Sequence, residues 1–325
     1  MLVTVITATH NRPELLAEAM ASIRAQSFGR DCEIIIASNG ETDCSLSQQV
    51  AEQFDCRFFA IPEANRSYAR NLAIAQARGE WIAFLDDDDL WLPDKLKLQL
   101  AFAAETRADC IFTDFILRNG LAPEAALRQD GNDRVHRVGP YKQFSIQESM
   151  LIWRSGSGGC STVLVKRQAL LAVGGFDTAM TLTEDWDLWR RLSQSCTVAF
   201  LHEVLSVCRT HGVNGEAHAM LRPWRCTYWD LYHGFKLIRD CPPDLRHMIP
   251  TVLRFLAWRA CFLYPVHVLG GLKPLRGPFQ RARVLVKRRM FGAGPGPVTR
   301  LRARLRIKRR VNAFVGREVF PVVRQ

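Results

Sequence analysis

Four aspartates in a row, Asp86 to Asp89, follow directly on the apolar run Trp81-Ile-Ala-Phe-Leu85 and precede Leu90-Trp91. A short apolar run of that kind reads as a buried strand, so negative charge is concentrated where the chain leaves the core. Adjacent carboxylates repel one another, and each loses hydration as it nears apolar surroundings. A hard divalent cation with oxygen ligands, often one that also holds a phosphate, relieves both problems. The cluster therefore points to a metal-bound, phosphorylated substrate. A solvated acidic turn capping the next helix is the plainer alternative.

Around this cluster the pattern is regular. Leu2–Ala8, Glu33–Ala37, Arg57–Ile61 and Trp81–Leu85 predict strands. Between them Pro13–Gln26 carries Leu15, Leu16, Ala19, Met20 and Ile23 at helical spacing, and a second helical stretch starts at Cys44. Ser67–Gln76 is alanine-rich and predicts a helix closed by Gly79. Pro93 suits a first helical position, with Leu96, Leu100 and Ala103 on one stripe. Strands and helices alternating at these lengths predict an α/β fold with a doubly wound, mostly parallel sheet. Ligands of such sheets bind beyond the carboxyl ends of the strands. Three polar clusters fall there, Ala8–Arg12, Ser38–Asp43 and Asp86–Asp89, and should converge on one crevice.

This first half ends near residue 105. Asp109 to Gly139 is mixed and loop-rich, Cys160–Lys166 predicts a strand, and Gln168–Val173 predicts a short helix stopped by Gly174-Gly175. A compact helix begins near Glu184, with Trp186, Trp189 and Leu192 along it.

Charge separates the C-terminus from the rest. Residues 273–325 hold sixteen Lys or Arg against one acid, Glu318, so about +15 resides there and residues 1–272 are slightly acidic, within a chain of net +12. Basic runs such as Lys287–Arg289 and Lys308–Arg310 are interleaved with Val284, Leu285, Leu301, Leu305 and Phe314. Such a mixture suits an anionic membrane face, and the aromatic stretch Phe255–Tyr264 could lie in the same interface. A solvated cationic tail is the alternative. No recognition motif accompanies the charge, so no nucleic-acid partner is expected. Thr251 to Leu272 contains Arg254, Arg259 and His267 and is divided by Pro265, which leaves pieces too short to span a bilayer. The ten cysteines form no Cys-x-x-Cys pair, and the chain enters a strand at once without a charged leader. Both features predict a cytoplasmic protein with reduced thiols, peripheral to a membrane if the tail is an anchor.

Seven motifs in order resemble family-2 glycosyltransferases of the GT-A fold over about residues 2–212. They are Val5–Pro13, Ile36–Asp43, Ala69–Ala73, Phe84–Asp94, Gly174–Asp177, Thr183–Trp189 and Arg209–His211. The resemblance implies a GT-A domain over 1–215, its nucleotide-binding half at about 1–105 and its acceptor half at about 106–215. A helical, aromatic-rich extension at 216–272 and the basic tail at 273–325 follow. It further implies that Asp88 binds Mg²⁺ or Mn²⁺ while Asp86 and Asp87 contact the metal shell or the ribose. His211 aligns with a histidine that can reach the diphosphate or metal. A satisfied surface histidine is the equal alternative. Asp185 matches the base that takes a proton from the acceptor hydroxyl. Arg70 is placed near the diphosphate or base, and Ala8, Thr9 and His10 near the nucleobase. Where the family usually offers an aspartate to the base, this chain has Ser38-Asn39, which leaves UDP-, GDP- and dTDP-linked donors open.

The activity implied is inverting, metal-dependent transfer from a nucleotide-sugar to a glycan or lipid-linked acceptor, in cell-surface polysaccharide or glycolipid assembly. Two other classes share parts of this pattern. A nucleotide-sugar pyrophosphorylase would need a glycine-rich loop after the first strand, yet the first glycine is Gly29. A non-catalytic nucleotide-sugar-binding scaffold would have no need of both Asp88 and Asp185.

Overall fold

A computed structural model describes residues 3–27, 32–120, 134–139, 145, 147–148, 159–210, 223–254 and 256–257. His211, the tail 273–325 and most of Thr251–Leu272 lie outside the described residues. Among those described, nine strands form one mixed sheet. Strands β1 (Val3–Thr9), β2 (Glu33–Asn39), β3 (Arg57–Ile61) and β4 (Trp81–Phe84) are mutually parallel, in the order β3-β2-β1-β4. The helices α1 (Pro13–Arg24), α2 (Ser45–Gln53) and α3 (Arg66–Gln76) connect them. β1 and β2 are covered on both faces, which is why they read as continuous apolar runs rather than alternating ones. α1 starts on Pro13 and buries Leu16, Ala19, Met20 and Ile23 of the predicted stripe, leaving Leu15 half-buried.

The sheet then reverses. β8 (Leu164–Lys166) runs antiparallel to β4, and β6 (Cys110–Asn119) antiparallel to β8. β9 (Val198–Thr210) lies parallel to β6 over ten residue pairs, with a register shift around Asp114. The two-residue β5 (Leu90–Trp91) pairs with β9, and β7 (Arg134–His136) pairs with β6. The sheet is therefore continuous across residue 105, and the two expected halves share it.

Several expectations change in detail. The helix α3 ends at Ala77 in an extended conformation, so Gly79 is not its cap. A Cβ on Gly79 would lie 2.5 Å from the Thr4 nitrogen, and its N–H donates to Thr4 Oγ1 at 2.8 Å. Close approach of two backbones is what requires glycine there. Cys160–Thr162 forms a single 3-10 turn, and only the last three residues of the predicted strand join the sheet. Two further helices, α4 (Lys95–Thr106) and α5 (Arg167–Ala172), lead to α6 (Glu184–Ser195). Gly174 and Gly175, both at positive φ, stop α5 as predicted.

Beneath α6, Trp189 meets Phe112 edge-on at 5.6 Å and lies 6.2 Å from both Phe84 and Phe176. Trp186 and Trp189 are core residues, so neither offers a platform to a ligand. The second compact unit contains the described residues 139, 145, 147–148, 223–254 and 256–257, including α7 (Pro223–Arg239). None of the described helices is long and apolar enough to cross a membrane.

Candidate active site

Because β1, β2 and β4 are parallel, their last residues Thr9, Asn39 and Phe84 share one edge of the sheet. β8 runs the other way, so the turn before it, with Ser161, arrives at that same edge. The three predicted polar clusters do converge there.

The four aspartates have four different environments. Asp86 is the most open, its side chain 34% exposed, and accepts from Arg70 Nη2 at 2.7 Å. Asp87 is buried, accepting from Thr9 Oγ1 at 2.9 Å and Arg12 Nη1 at 3.2 Å. Burial and the neighbouring Asp88 push its carboxyl up to about 7, against the pull of Arg12 and Thr9. Asp88 is 13% exposed and takes the same Arg12 Nη1 at 3.1 Å. Asp89 does not begin the following helix, which starts at Lys95 after Asp94. It is buried instead, accepting from Ser161 Oγ at 2.6 Å and from the Arg209 N–H at 2.9 Å. Burial first, and then Asp88 and Asp86, push its carboxyl well up. The pairing of β5 with β9 draws Asp89 inward, and the local sequence pattern gives no sign of that pairing.

Thr9 is buried and committed to Asp87, Ala8 is half-buried, and His10 is exposed. The His10 ring rests on the Asn39 carbonyl at 2.6 Å through Nδ1. Asn39 Nδ2 donates to the Thr9 carbonyl at 2.8 Å, which ties the ends of β1 and β2 together. Ser38 is buried, and its Oγ finds no hydrogen-bond partner among the described residues.

Arg70 lies on α3, whose start is capped by Asn65 accepting from the Tyr68 N–H at 3.0 Å. The same helix holds the loop that leads to α6. Asn71 Oδ1 accepts from the Phe176 N–H at 2.8 Å, its Nδ2 donates to the Phe176 carbonyl at 2.8 Å, and Asn65 Nδ2 donates to the Thr178 carbonyl at 2.9 Å. Arg70 reaches both sides: Nη2 to Asp86, and Nη1 to Glu184 Oε1 at 3.1 Å. Glu184 is buried and also pairs with Arg66 at 2.5 Å. Burial alone would push the Glu184 carboxyl up, but Arg66 and Arg70 hold it below the usual range.

Asp185 follows in the first turn of α6 and accepts from the Trp186 N–H at 2.7 Å through Oδ1. A carboxylate in that turn is favoured by the helix dipole. Asp187 has another task. It pairs with Arg190 at 3.1 Å and Arg191 at 2.8 Å, and Arg191 grips the Val173 and Gly175 carbonyls.

Glu184, Ser161 and Arg209 were not predicted to belong to this site, and Arg12 was expected there only as the end of the Ala8–Arg12 cluster, with no role of its own. Glu184 and Arg209 are charged residues inside the motifs, which is the one signal that could have singled them out.

A family model described as glycosyl transferase family 2 matches residues 4–170, just over half of the chain. The chain belongs to that family. Among relatives of this glycosyl transferase family 2 member, a putative teichuronic acid biosynthesis glycosyltransferase, TuaG of Bacillus subtilis, is 29% identical over 171 residues, covering 51% of this chain and 63% of TuaG. An uncharacterised glycosyltransferase of Rickettsia conorii is 26% identical, covering 66% of this chain but only 35% of its own length. The chain thus spans about a third of that relative. Of solved structures, S. aureus TarS 1-349 in complex with UDP-GlcNAc aligns with a TM-score of 0.60 at 18% identity, over 79% of this chain and 72% of that one. The mannosyltransferase PcManGT of Pyrobaculum calidifontis, in complex with GDP-Man and Mn2+, aligns with a TM-score of 0.55 at 21% identity, over 87% and 83%. At these identities the two structures establish the GT-A fold and nothing finer.

Proposed function

We propose that this family-2 member is an inverting glycosyltransferase that moves a sugar from a nucleotide-sugar donor to a hydroxyl of a glycan or lipid-linked acceptor. The observation that carries the reading is Arg70, bonded at once to Asp86 on the donor edge and to Glu184 beside Asp185. One guanidinium thereby ties the acidic strand end to the helix that bears the candidate base.

In this reading Asp185 accepts the proton of the acceptor hydroxyl as its oxygen attacks the anomeric carbon. The bond from that carbon to the diphosphate oxygen breaks in the same step, and the nucleoside diphosphate leaves. Arg70 remains cationic between Asp86 and Glu184, next to where the leaving group's charge develops. His10 and the end of β1 border the base pocket.

The hard oxygens of Asp86, Asp87 and Asp88 fit Mg²⁺ or Mn²⁺ in their donor chemistry. Asp88 and Asp86 are the more open two, while Asp87 is committed to Thr9 and Arg12. Among the described residues, no group of three or more His, Cys, Asp or Glu is disposed around one point for an ion. Diphosphate and water oxygens would therefore supply the remaining ligands, as they commonly do for Mg²⁺. Such an ion would neutralise the charge of the departing diphosphate. UDP- and GDP-linked sugars, the donors bound by the two structural neighbours, are the first to try. The kinship with TuaG favours cell-surface polysaccharide assembly. The basic tail favours an anionic membrane face, where a lipid-linked acceptor would be met.

The test is transfer from a panel of nucleotide-sugars with Mg²⁺ or Mn²⁺ present, using the wild type and Asp185→Asn. The variant should lose transfer by about a thousandfold or more while binding donor nearly as before. An equal loss of donor binding would mean that Asp185 is not the base.

A further inference from the structure

Arg12 stands out at this edge because its guanidinium already does what a cation is expected to do there. One nitrogen, Nη1, lies 3.2 Å from Asp87 Oδ1 and 3.1 Å from Asp88 Oδ2, bridging two adjacent carboxylates. Arg70, which commits separate nitrogens to Asp86 and Glu184, is the more enclosed of the two arginines, its side chain 6% exposed against 25% for Arg12.

The backbone under Arg12 is fixed. Asn11, at φ 53°, donates its N–H to Glu41 Oε1 at 2.6 Å, and the Arg12 carbonyl accepts the first α1 bond, from the Leu16 N–H at 2.9 Å. The side chain that leaves this fixed backbone has access to solvent.

We propose that Arg12 is the resident counter-ion of the Asp87–Asp88 pair, giving up Asp88 when a divalent cation enters and turning to the diphosphate that arrives with it. This rests on the glycosyl-transfer reading for the identity of the anion, but not for the exchange itself. It follows that metal alone binds weakly, since it must displace a guanidinium that gains no new partner. Metal together with a nucleoside diphosphate binds well, since the displaced charge is taken up by phosphate. Arg12 is then a positioning residue that couples the two ligands.

The experiment measures Mn²⁺ binding to the full chain without nucleotide, and UDP and GDP binding in saturating Mn²⁺, for the wild type and Arg12→Gln. Arg12→Gln should bind Mn²⁺ alone about tenfold more tightly and the nucleotide about tenfold more weakly. Unchanged or weaker binding of Mn²⁺ alone overturns the proposal. Should Arg12→Gln not fold, the wild type crystallised with Mn²⁺ and UDP or GDP decides the matter. Arg12 Nη1 beyond hydrogen-bond distance of Asp88 supports the exchange, and a retained bond overturns it. A wild type that binds and exchanges as described yet transfers no sugar would sink the enzymatic reading alone. A wild type that transfers sugar while Arg12→Gln leaves Mn²⁺ affinity unmoved would sink the exchange alone.

Discussion

Glu184→Gln is the most informative single change for the frame of the site. The substitution keeps the shape of the side chain and removes its charge, leaving Arg70 buried beside Asp86 only. At an effective dielectric of about 20, unit charges at the observed 3.1 Å attract by about 5 kcal/mol. Desolvation of the pair offsets part of that, and removing one partner of a buried pair costs about 3 kcal/mol or somewhat more. Arg66, 2.5 Å from the same carboxylate, loses a partner as well, though water screens part of its charge because its side chain is 37% exposed. At about 2–4 °C per kcal/mol, the melting temperature should fall by about 6–12 °C, read by circular dichroism at pH 7. The double variant Glu184→Leu with Arg70→Met removes both charges and should cost clearly less than the sum of the two single changes. A drop below about 2 °C, or additive costs in the double variant, would show that the pair does not hold α6 to α3.

Two further changes test the core. At Glu33, burial works against the charge, but Thr4, the Arg78 N–H and Arg57 together hold the carboxyl below its usual range. That stability is present above the ordinary carboxylate pKa and is lost as pH falls through the lowered one. Glu33→Gln should therefore cost about 2 kcal/mol at pH 7, and the gap to the wild type should close below about pH 4 in urea melts. Lys95 is fully buried, with Nζ 2.6 Å from Gln99 Oε1 and 4.3 Å from the Trp91 ring centroid, and burial pushes its amine well down. The unfolded chain binds that proton more readily, so the wild type should gain stability between pH 7 and about pH 10. Lys95→Met should lack that gain and exceed the wild type by about 1 kcal/mol at pH 7; an identical pH slope in both proteins would refute the assignment.

The parallel half of the sheet was readable because each strand there is short, apolar and followed by a helix with its own stripe. β6 and β9 were not readable. Their ten-residue and thirteen-residue runs mix buried and half-buried positions, and the irregular register near Asp114 breaks any period of two. Contacts made through those strands were invisible for the same reason. Asp89 looks like a helix-starting acid until Arg209 and Ser161 are brought to it from far along the chain. The motifs located the acidic edge and the start of α6. They could not reveal that Asn39 is used to tie β1 to β2, or that Asp87 is enclosed by Thr9 and Arg12, because such commitments depend on which side of a strand end a side chain leaves.

The grip of α3 on the loop after Gly175 has a wider meaning for how such a molecule can change. Asn65, Arg70 and Asn71 sit on one rod and hold, respectively, Thr178, the two acids and Phe176. In the proposed reaction, donor and acceptor machinery are mounted on a common spine, so their spacing is set by one element's rigidity. Loops elsewhere can then vary to admit a new acceptor without detuning the distance over which the sugar has to travel.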